Sequence, residues 1–302
     1  MNSGKTTSKF ISGFQRFLLR NFGHYLSDSI YLRALYKIRM GHKMNLKNPK
    51  TFQEKIQWLK INYRKPEFTV MVDKYAVKEF VAKKIGKEYI IPTIGVWNRV
   101  EDINIEELPN KFVLKTTHGG GGGGVIICRD KSKFDMNKVL PRLNSLLKLN
   151  IYKNYREWPY KDVPRRIIAE KFLETSESTD LTDYKIFCFN GKPKYIQVIK
   201  DRNTVETIDF FDTHWVHQPF VGLNPKCKNA KIEPHKPSNL EEMIYIAEKL
   251  SKDIPFVRVD LYNIDSKVYF GELTFYPASG IGKFSPDEWS LKLGDLLQLP
   301  IK

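Results

Sequence analysis

The chain has 302 residues, 41% of them hydrophobic and 28% charged, and a formal net charge of +16 at pH 7. That length allows a real core in two or three lobes, and the balance is that of a soluble globular protein, with no apolar run near the roughly 18 residues of a membrane span and no signal peptide expected. Cys128, Cys188 and Cys227 stand far apart without a CxxC pair, which argues against zinc and for reduced thiols in the cytoplasm. The positive charge implies an acidic partner, whether nucleotide, anionic glycan, membrane surface or nucleic acid.

Between residues 8 and 45 bases abound and Asp28 is the single acid. Phe10, Phe14, Phe17 and Leu18 recur at helical spacing with Lys9, Arg16 and Arg20 among them, predicting a helix that lies on anionic lipid or packs on the protein body. The pattern predicts further helices over 31–40 and 51–62, the second with Thr51 and Glu54 as a capping box. A helix over 73–86 follows, with Asp73 as N-cap, Val77, Phe80 and Val81 as its buried stripe and Gly86 as its stop. Lys74 falls in its first turn, where the macrodipole disfavours a cation, so it is either a solvated lysine or one with a task, for which a phosphate oxygen is the expected partner. An extended apolar segment, 89–100, leads through an acidic linker, 101–107, to the most unusual stretch of the chain.

Gly119, Gly120, Gly121, Gly122, Gly123 and Gly124 lie between the strand-like runs Phe112-Val113-Leu114 and Val125-Ile126-Ile127. Ordering a glycine costs roughly 0.5–1 kcal/mol relative to alanine, so six in succession imply that the bare backbone is used. N–H groups without side chains can wrap a phosphate chain, and Lys115 and His118 stand at the mouth. Strand, glycine loop, strand is neither a Walker A loop nor a Rossmann turn, both of which open a helix; it has the form of a lid closing over a nucleotide.

Residues 137–150 read as a leucine-rich helix and 166–173 as a strand running to a hinge. A hairpin over 183–200 turns at Asn190-Gly191 and places Asp183 and Lys185 on one face of its first strand. A strand pair is expected over 207–217, and a helix over 238–253 with Ser238 and Glu241 as its capping box. In the next hairpin a turn at Asp265-Ser266-Lys267 sets Asp260 opposite Glu272 and Arg258 opposite Thr274, with Val268 and Phe270 on the face of Glu272. Two bare carboxylates about 5 Å apart repel by roughly 3 kcal/mol at an effective dielectric of 20, so a cation is required. Arg258 supplies part of it, and a hard divalent ion such as Mg²⁺ would supply more.

Lys115 with its glycine lid, Glu170-Lys171-Phe172-Leu173, and Arg258-Val-Asp260 followed twelve residues later by Glu272-Leu-Thr274 resemble an ATP-grasp enzyme in kind and order. The stretches TFQEKIQWLK, DKYAVKEF, FVLKTTHGGGG, DYKIFCFNGKPKYIQV and RVDLYNIDSKVYFGELTFYPASGIGKFSPDEW resemble more narrowly the TupA-like ATP-grasp family, named for teichuronopeptide biosynthesis. The resemblance covers about residue 50 to residue 302 and implies an α+β ATP-grasp fold: a basic helical region (1–66), then an ATP-grasp domain (67–302) with a lid (about 109–168) and a mainly antiparallel lobe (about 169–302).

It further implies that Lys74, Lys115 and the glycine backbone hold the phosphates of ATP. Glu170 and the Lys171, Phe172 and Leu173 backbone would hold adenine, Asp183 the ribose, and Asp260 and Glu272 Mg²⁺. Arg258, with Lys185, Arg202 and His118, would serve the reacting groups. Thr274 stands where the superfamily usually has Asn, and its hydroxyl is the third candidate ligand. The implied activity is ADP-forming carboxylate–amine ligation through an acyl phosphate, joining an amino acid to a sugar acid in cell-surface polysaccharide synthesis, in the cytoplasm or at the inner membrane surface. Two other readings compete: a peripheral glycosyltransferase, which usually shows an Asp-x-Asp motif that this chain lacks, and a basic nucleic-acid-binding module, for which no motif is present.

Overall fold

Two antiparallel sheets, each with its own apolar core, organise the chain in the computed structural model, which describes residues 17, 19, 21–119, 124–175, 181–201, 204–224 and 227–301. Helices α1 (Asp28–Met40), α2 (Phe52–Asn62), α3 (Glu67–Val72) and α4 (Val77–Ile85) come first. The smaller sheet follows, formed by β1 (Thr93–Trp97), β2 (Phe112–Thr116), β3 (Val125–Cys128) and β4 (Ile167–Lys171) in the order β1-β4-β2-β3. The glycine stretch links β2 to β3, and α5 (Met136–Leu147) lays Leu143 over Phe112, Leu114 and Ile167 to close the smaller core. The short α6 (Ile151–Tyr155) leads back to β4.

The larger sheet contains β5 (Asp183–Phe189), β6 (Lys192–Lys200), β7 (Thr207–Asp212), β9 (Phe256–Ile264) and β10 (Lys267–Thr274), ordered β10-β9-β5-β6-β7. β8 (Val221–Gly222) pairs with β11 (Phe284–Ser285), while α7 (Leu240–Ser251) precedes β9 and α8 (Trp289–Leu296) follows β11. Asn190 and Gly191 form the expected two-residue turn, both with positive φ. No described helix is long and apolar enough to cross a membrane.

Strand alternation divides the residues of β5 and β9 between two covered faces. Ile186, Cys188, Val257, Val259 and Leu261 belong to one core with Met243, Ala247 and Leu250 of α7. On the opposite face the strands change character along their length. Phe187, Phe189 and Phe256 pack edge-on with Phe52 and Phe210, whereas Asp183, Lys185, Arg258 and Asp260 lie further along. One end of this face is thus an aromatic wall, and the other carries the charges.

Phe52 ties α2 into that wall, and Phe52, Ile56 and Leu59 share one core with Phe68 and Met71 of α3. The expected boundary between residues 66 and 67 falls between these two helices. The Thr51–Glu54 capping box is formed. Beside the apolar residues of α2 runs a buried polar stripe: Gln53 donates to the Gly282 carbonyl (2.9 Å), Gln57 to Ser279 and Gly280 (2.8 and 3.0 Å), and Lys60 to Ser279 and Tyr155 (2.9 and 3.1 Å). These donors hold the loop after β10, where Ala278, Ser279 and Gly280 all have positive φ (46°, 56° and 64°). Burial pushes the Lys60 ammonium down to about 8.

The expected Ser238–Glu241 box is not formed. Ser238 Oγ bonds Ser266 Oγ (3.0 Å), and Asn239 donates to the Ser266 carbonyl (3.1 Å). Tertiary contacts to the β9–β10 turn have taken the capping side chains.

Candidate active site

The pairing of the larger sheet sets Gln197, Lys185, Asp260 and Glu272 in one row across β6, β5, β9 and β10, with Phe187, Arg258 and Thr274 in the row beside it. Asp260 opposes Glu272 as expected, but by a different route. The turn is the two-residue Asp265-Ser266, both at positive φ, and a bulge at Gly271 then shifts the register by one. A Cβ on Gly271 would lie 3.0 Å from the Asp260 carbonyl, which favours glycine there. The bulge also corrects the expected faces: Phe270 pairs with Leu261 and, like Val268, joins the core, away from Glu272 and Thr274.

The carboxylates are not bare. Arg258 donates to both oxygens of Asp260 at 2.7 Å, and Lys185 adds an ion pair to Asp260 Oδ2 while lying 3.4 Å from Asp183. Arg258 Nη2 also donates to Thr274 Oγ1 (3.1 Å) and lies 3.8 Å from Glu272. Lys74 Nζ reaches Glu272 Oε2 at 3.1 Å. Asp183, Asp260 and Glu272 therefore face Lys74, Lys185 and Arg258, three charges against three. Burial alone would raise the Glu272 carboxyl, but the charges of Lys74, Lys185 and Arg258 outweigh it and hold the group well below the usual carboxylate range.

Lys74 also joins this face to the residues that follow β2. Its Nζ donates to the Gly119 carbonyl (2.5 Å) and its N–H to Thr117 (3.0 Å). Asp73 accepts from the Tyr75 and Ala76 N–H groups and from Arg166 (2.6 Å), fixing the turn before α4. Lys74 therefore lies outside the helix proper, where the macrodipole objection weakens. Gly119 packs against Thr116, whose Oγ1 would stand 2.5 Å from an added Cβ, and Gly124 leads into β3. Gly120, Gly121, Gly122, Gly123, Arg202 and most of the helix expected over 9–20 lie outside the described residues. His118 is buried, and neither ring nitrogen has a partner among the described residues; burial, and next the charge of Arg165, lower its pKa and favour the neutral ring.

In the smaller sheet, buried Glu170 on β4 accepts from Lys115 on β2 (2.5 Å) and Lys78 on α4 (2.6 Å). Burial would raise its pKa, but the two ammonium groups prevail and lower it. Lys171 already donates its N–H to the Pro92 carbonyl (3.0 Å), Phe172 lies under the Arg129 guanidinium, and Leu173 is half-buried. Sequence reasoning missed Lys78, Arg166 and Gln197. Lys78 gave no local signal, since its partners Ile91, Thr93 and Glu170 come from β1, β4 and the residues before β1.

The donor set suits Mg²⁺. Asp260 and Glu272 are carboxylates, and Thr274 Oγ1 is 3.5 Å from Glu272 Oε1, so all three are hard oxygen donors. Asp260 receives three donated hydrogen bonds against about four lone-pair positions, which leaves it room for one further partner.

A family model described as TupA-like ATPgrasp matches residues 54–298. Among curated proteins no match is found. Solved structures similar to the chain include a D-alanine–D-alanine ligase from Bacillus anthracis, 16% identical over 76% of this chain and 66% of that one, with a TM-score of 0.45. The corresponding ligase from Helicobacter pylori is 16% identical over 76% and 62%, with a TM-score of 0.40. A D-alanyl-alanine synthetase A from Vibrio cholerae is 11% identical over 81% and 65%, with a TM-score of 0.41. The chain spans less than two thirds of the length of each of the three.

Proposed function

The chain belongs to the TupA-like ATP-grasp family, and from that premise we propose that it is an ADP-forming ligase joining a carboxylate to an amine. One observation carries the reading: Lys74 spans the lid mouth and the carboxylate row, touching Gly119 on one side and Glu272 on the other. A neutral field of three cations and three anions gains positive charge when Mg²⁺ enters, which suits a triphosphate. Lys74, Lys115 and the glycine backbone would hold the phosphates, Asp183 the ribose, and Glu170 with the Lys171–Leu173 backbone the adenine, while Asp260, Glu272 and Thr274 would hold Mg²⁺. Bound there, Mg²⁺ supplies charge neutralisation at the transferring phosphoryl group.

The substrate carboxylate attacks the γ-phosphorus, the bond to the bridging oxygen breaks, and ADP leaves. The amine then attacks the acyl carbon and inorganic phosphate departs with the acyl C–O electron pair. Arg258, Lys185 and Arg202 steady the incoming carboxylate and the oxyanion. His118, neutral and buried at the lid mouth, keeps an acceptor for the proton shed by the amine. Closure of the lid excludes water from the acyl phosphate. The donor in this reading is a uronic acid, free or in a surface polysaccharide, and the amine an amino acid. Incubating the chain with ATP, Mg²⁺, sugar acids and amino acids should yield one ADP per product whose mass is one water below the summed substrates. AMP, or a glycosidic product with its carboxylate free, would refute it.

The same reading places the protein in the cytoplasm against an anionic membrane surface. Phe17, Phe22, Tyr25 and Ile30 are exposed near the N-terminus, in a region rich in bases. Deleting residues 1–22 should abolish sedimentation with anionic vesicles and leave ADP formation unchanged. Vesicle binding by the truncated protein would end this idea.

A further inference from the structure

We propose that Lys78 is a positioning residue, the permanent counter-ion of Glu170, whose presence lets Lys115 leave that carboxylate for a nucleotide phosphate. The inference rests on the ATP-binding reading above and assigns a division of labour between two lysines that share one carboxylate.

The two lysines are not held alike. Lys78 Nζ donates to the Ile91 carbonyl (2.8 Å), Thr93 Oγ1 (2.7 Å) and Glu170 Oε1 (2.6 Å). An ammonium has three N–H groups, and all three are used by acceptors from β4, from β1 and from the residues before β1. Lys115 has Glu170 Oε2 as its acceptor among the described residues, at 2.5 Å, which leaves two N–H groups to give. Lys115 stands four residues before Gly119, on the strand that runs into the glycine lid, whereas Lys78 is set back on α4.

Charge decides which lysine can move. Glu170 is buried, with a single negative charge against two positive ones. One ammonium suffices to neutralise a carboxylate, and the second is in surplus. If Lys78 were absent, Lys115 would be the sole counter-ion, and withdrawing it would strand a buried carboxylate, a strongly unfavourable outcome. With Lys78 fixed on three acceptors, Lys115 exchanges one anion for another and Glu170 stays paired. The nearby charged groups agree: burial lowers the Lys78 pKa, the Glu170 carboxylate raises it and the Lys115 ammonium lowers it again.

The test is a double-mutant cycle on the full chain, read as the Kd for a non-hydrolysable ATP analogue with MgCl₂ by titration calorimetry. Lys78→Met should weaken binding by about 10- to 100-fold, because Lys115 becomes tied to Glu170. In a Glu170→Gln background, where the charge is gone but an acceptor for an adenine N–H remains, the same Lys78→Met change should alter Kd by less than about threefold. No loss on Lys78→Met with Glu170 intact, or the same loss in the wild-type and Glu170→Gln backgrounds, would overturn the proposal. A wild-type chain that fails to bind the analogue would instead overturn the ATP reading itself, so the two failures are distinct. Should Lys78→Met not fold, a crystal structure of the wild type with Mg²⁺ and the analogue decides. Lys115 Nζ should have moved to a phosphate oxygen with Lys78 still on Glu170. Both lysines on Glu170, or Lys78 as the one displaced, would overturn it.

Discussion

Asp260→Asn and Glu272→Gln are each expected to reduce Mg²⁺-dependent ADP formation by roughly 10³-fold, while differing in their effect on the fold. Charge stabilisation by a bound divalent ion is worth several kcal/mol in the transition state, and each 1.36 kcal/mol is tenfold in rate. Asp260 has a second duty, since Arg258 and Lys185 both lean on it in a buried setting. Removing it leaves two buried cations short of a counter-charge, a loss of about 3–5 kcal/mol. Glu272 has a side chain 31% exposed and one close ion pair, to Lys74, so its loss should cost less, about 1–3 kcal/mol. Urea titration alongside the ADP assay checks both halves. Undiminished ADP formation in the two variants would remove the metal assignment, and equal urea midpoints would contradict the account of Asp260.

Phe52→Ala is the second change expected to act strongly, although it lies in α2 and carries no charge of the site. Its ring is fully buried and packs edge-on with Phe256 (5.0 Å between centroids), Phe284 (5.8 Å) and Phe189 (6.1 Å). Truncating such a side chain costs about 3–5 kcal/mol, set by how far the cavity collapses. A comparable fraction of the stability of an ordinary domain would be lost, since the whole is only about 5–15 kcal/mol. By the same reasoning a chain beginning at residue 67 should not fold. A urea midpoint for Phe52→Ala close to that of the wild type, or a soluble and cooperative 67–302 fragment, would show α2 to be an accessory.

Much of the site was legible because its signals are local. The glycine run, the Asn190-Gly191 turn and the Asp260–Glu272 pairing each lie within one hairpin, where spacing and alternation suffice. Even there the pairing was reached through an assumed three-residue turn, while the chain uses two residues and a bulge at Gly271. Arg258, two residues from Asp260, was legible as part of its neutralisation, but the share of Lys185 was not, because it depends on β5 lying beside β9, strands separated by some 70 residues in sequence. Gln53, Gln57 and Lys60 carried no signal of their role: polar residues on an amphipathic helix are ordinarily its solvent side, and here they are almost wholly buried.

That polar stripe also sets an order on biosynthesis. Gln53, Gln57 and Lys60 take acceptors that lie 219 to 229 residues further along the chain. A nascent polypeptide emerging at about 5–20 residues per second must therefore hold α2 undocked for roughly 10–50 s. During that wait the stripe is hydrated, so half of the helix surface that will become interior offers nothing for another apolar chain to adhere to. The loop after β10 emerges more than 200 residues after α2, over which it closes. Contacts of such high sequence separation are formed late and slowly. The loop that follows Glu272 and Thr274 thus reaches its place only after residues 279–282 have been made, and a polypeptide cut short before residue 282 carries the carboxylate row without the support behind it.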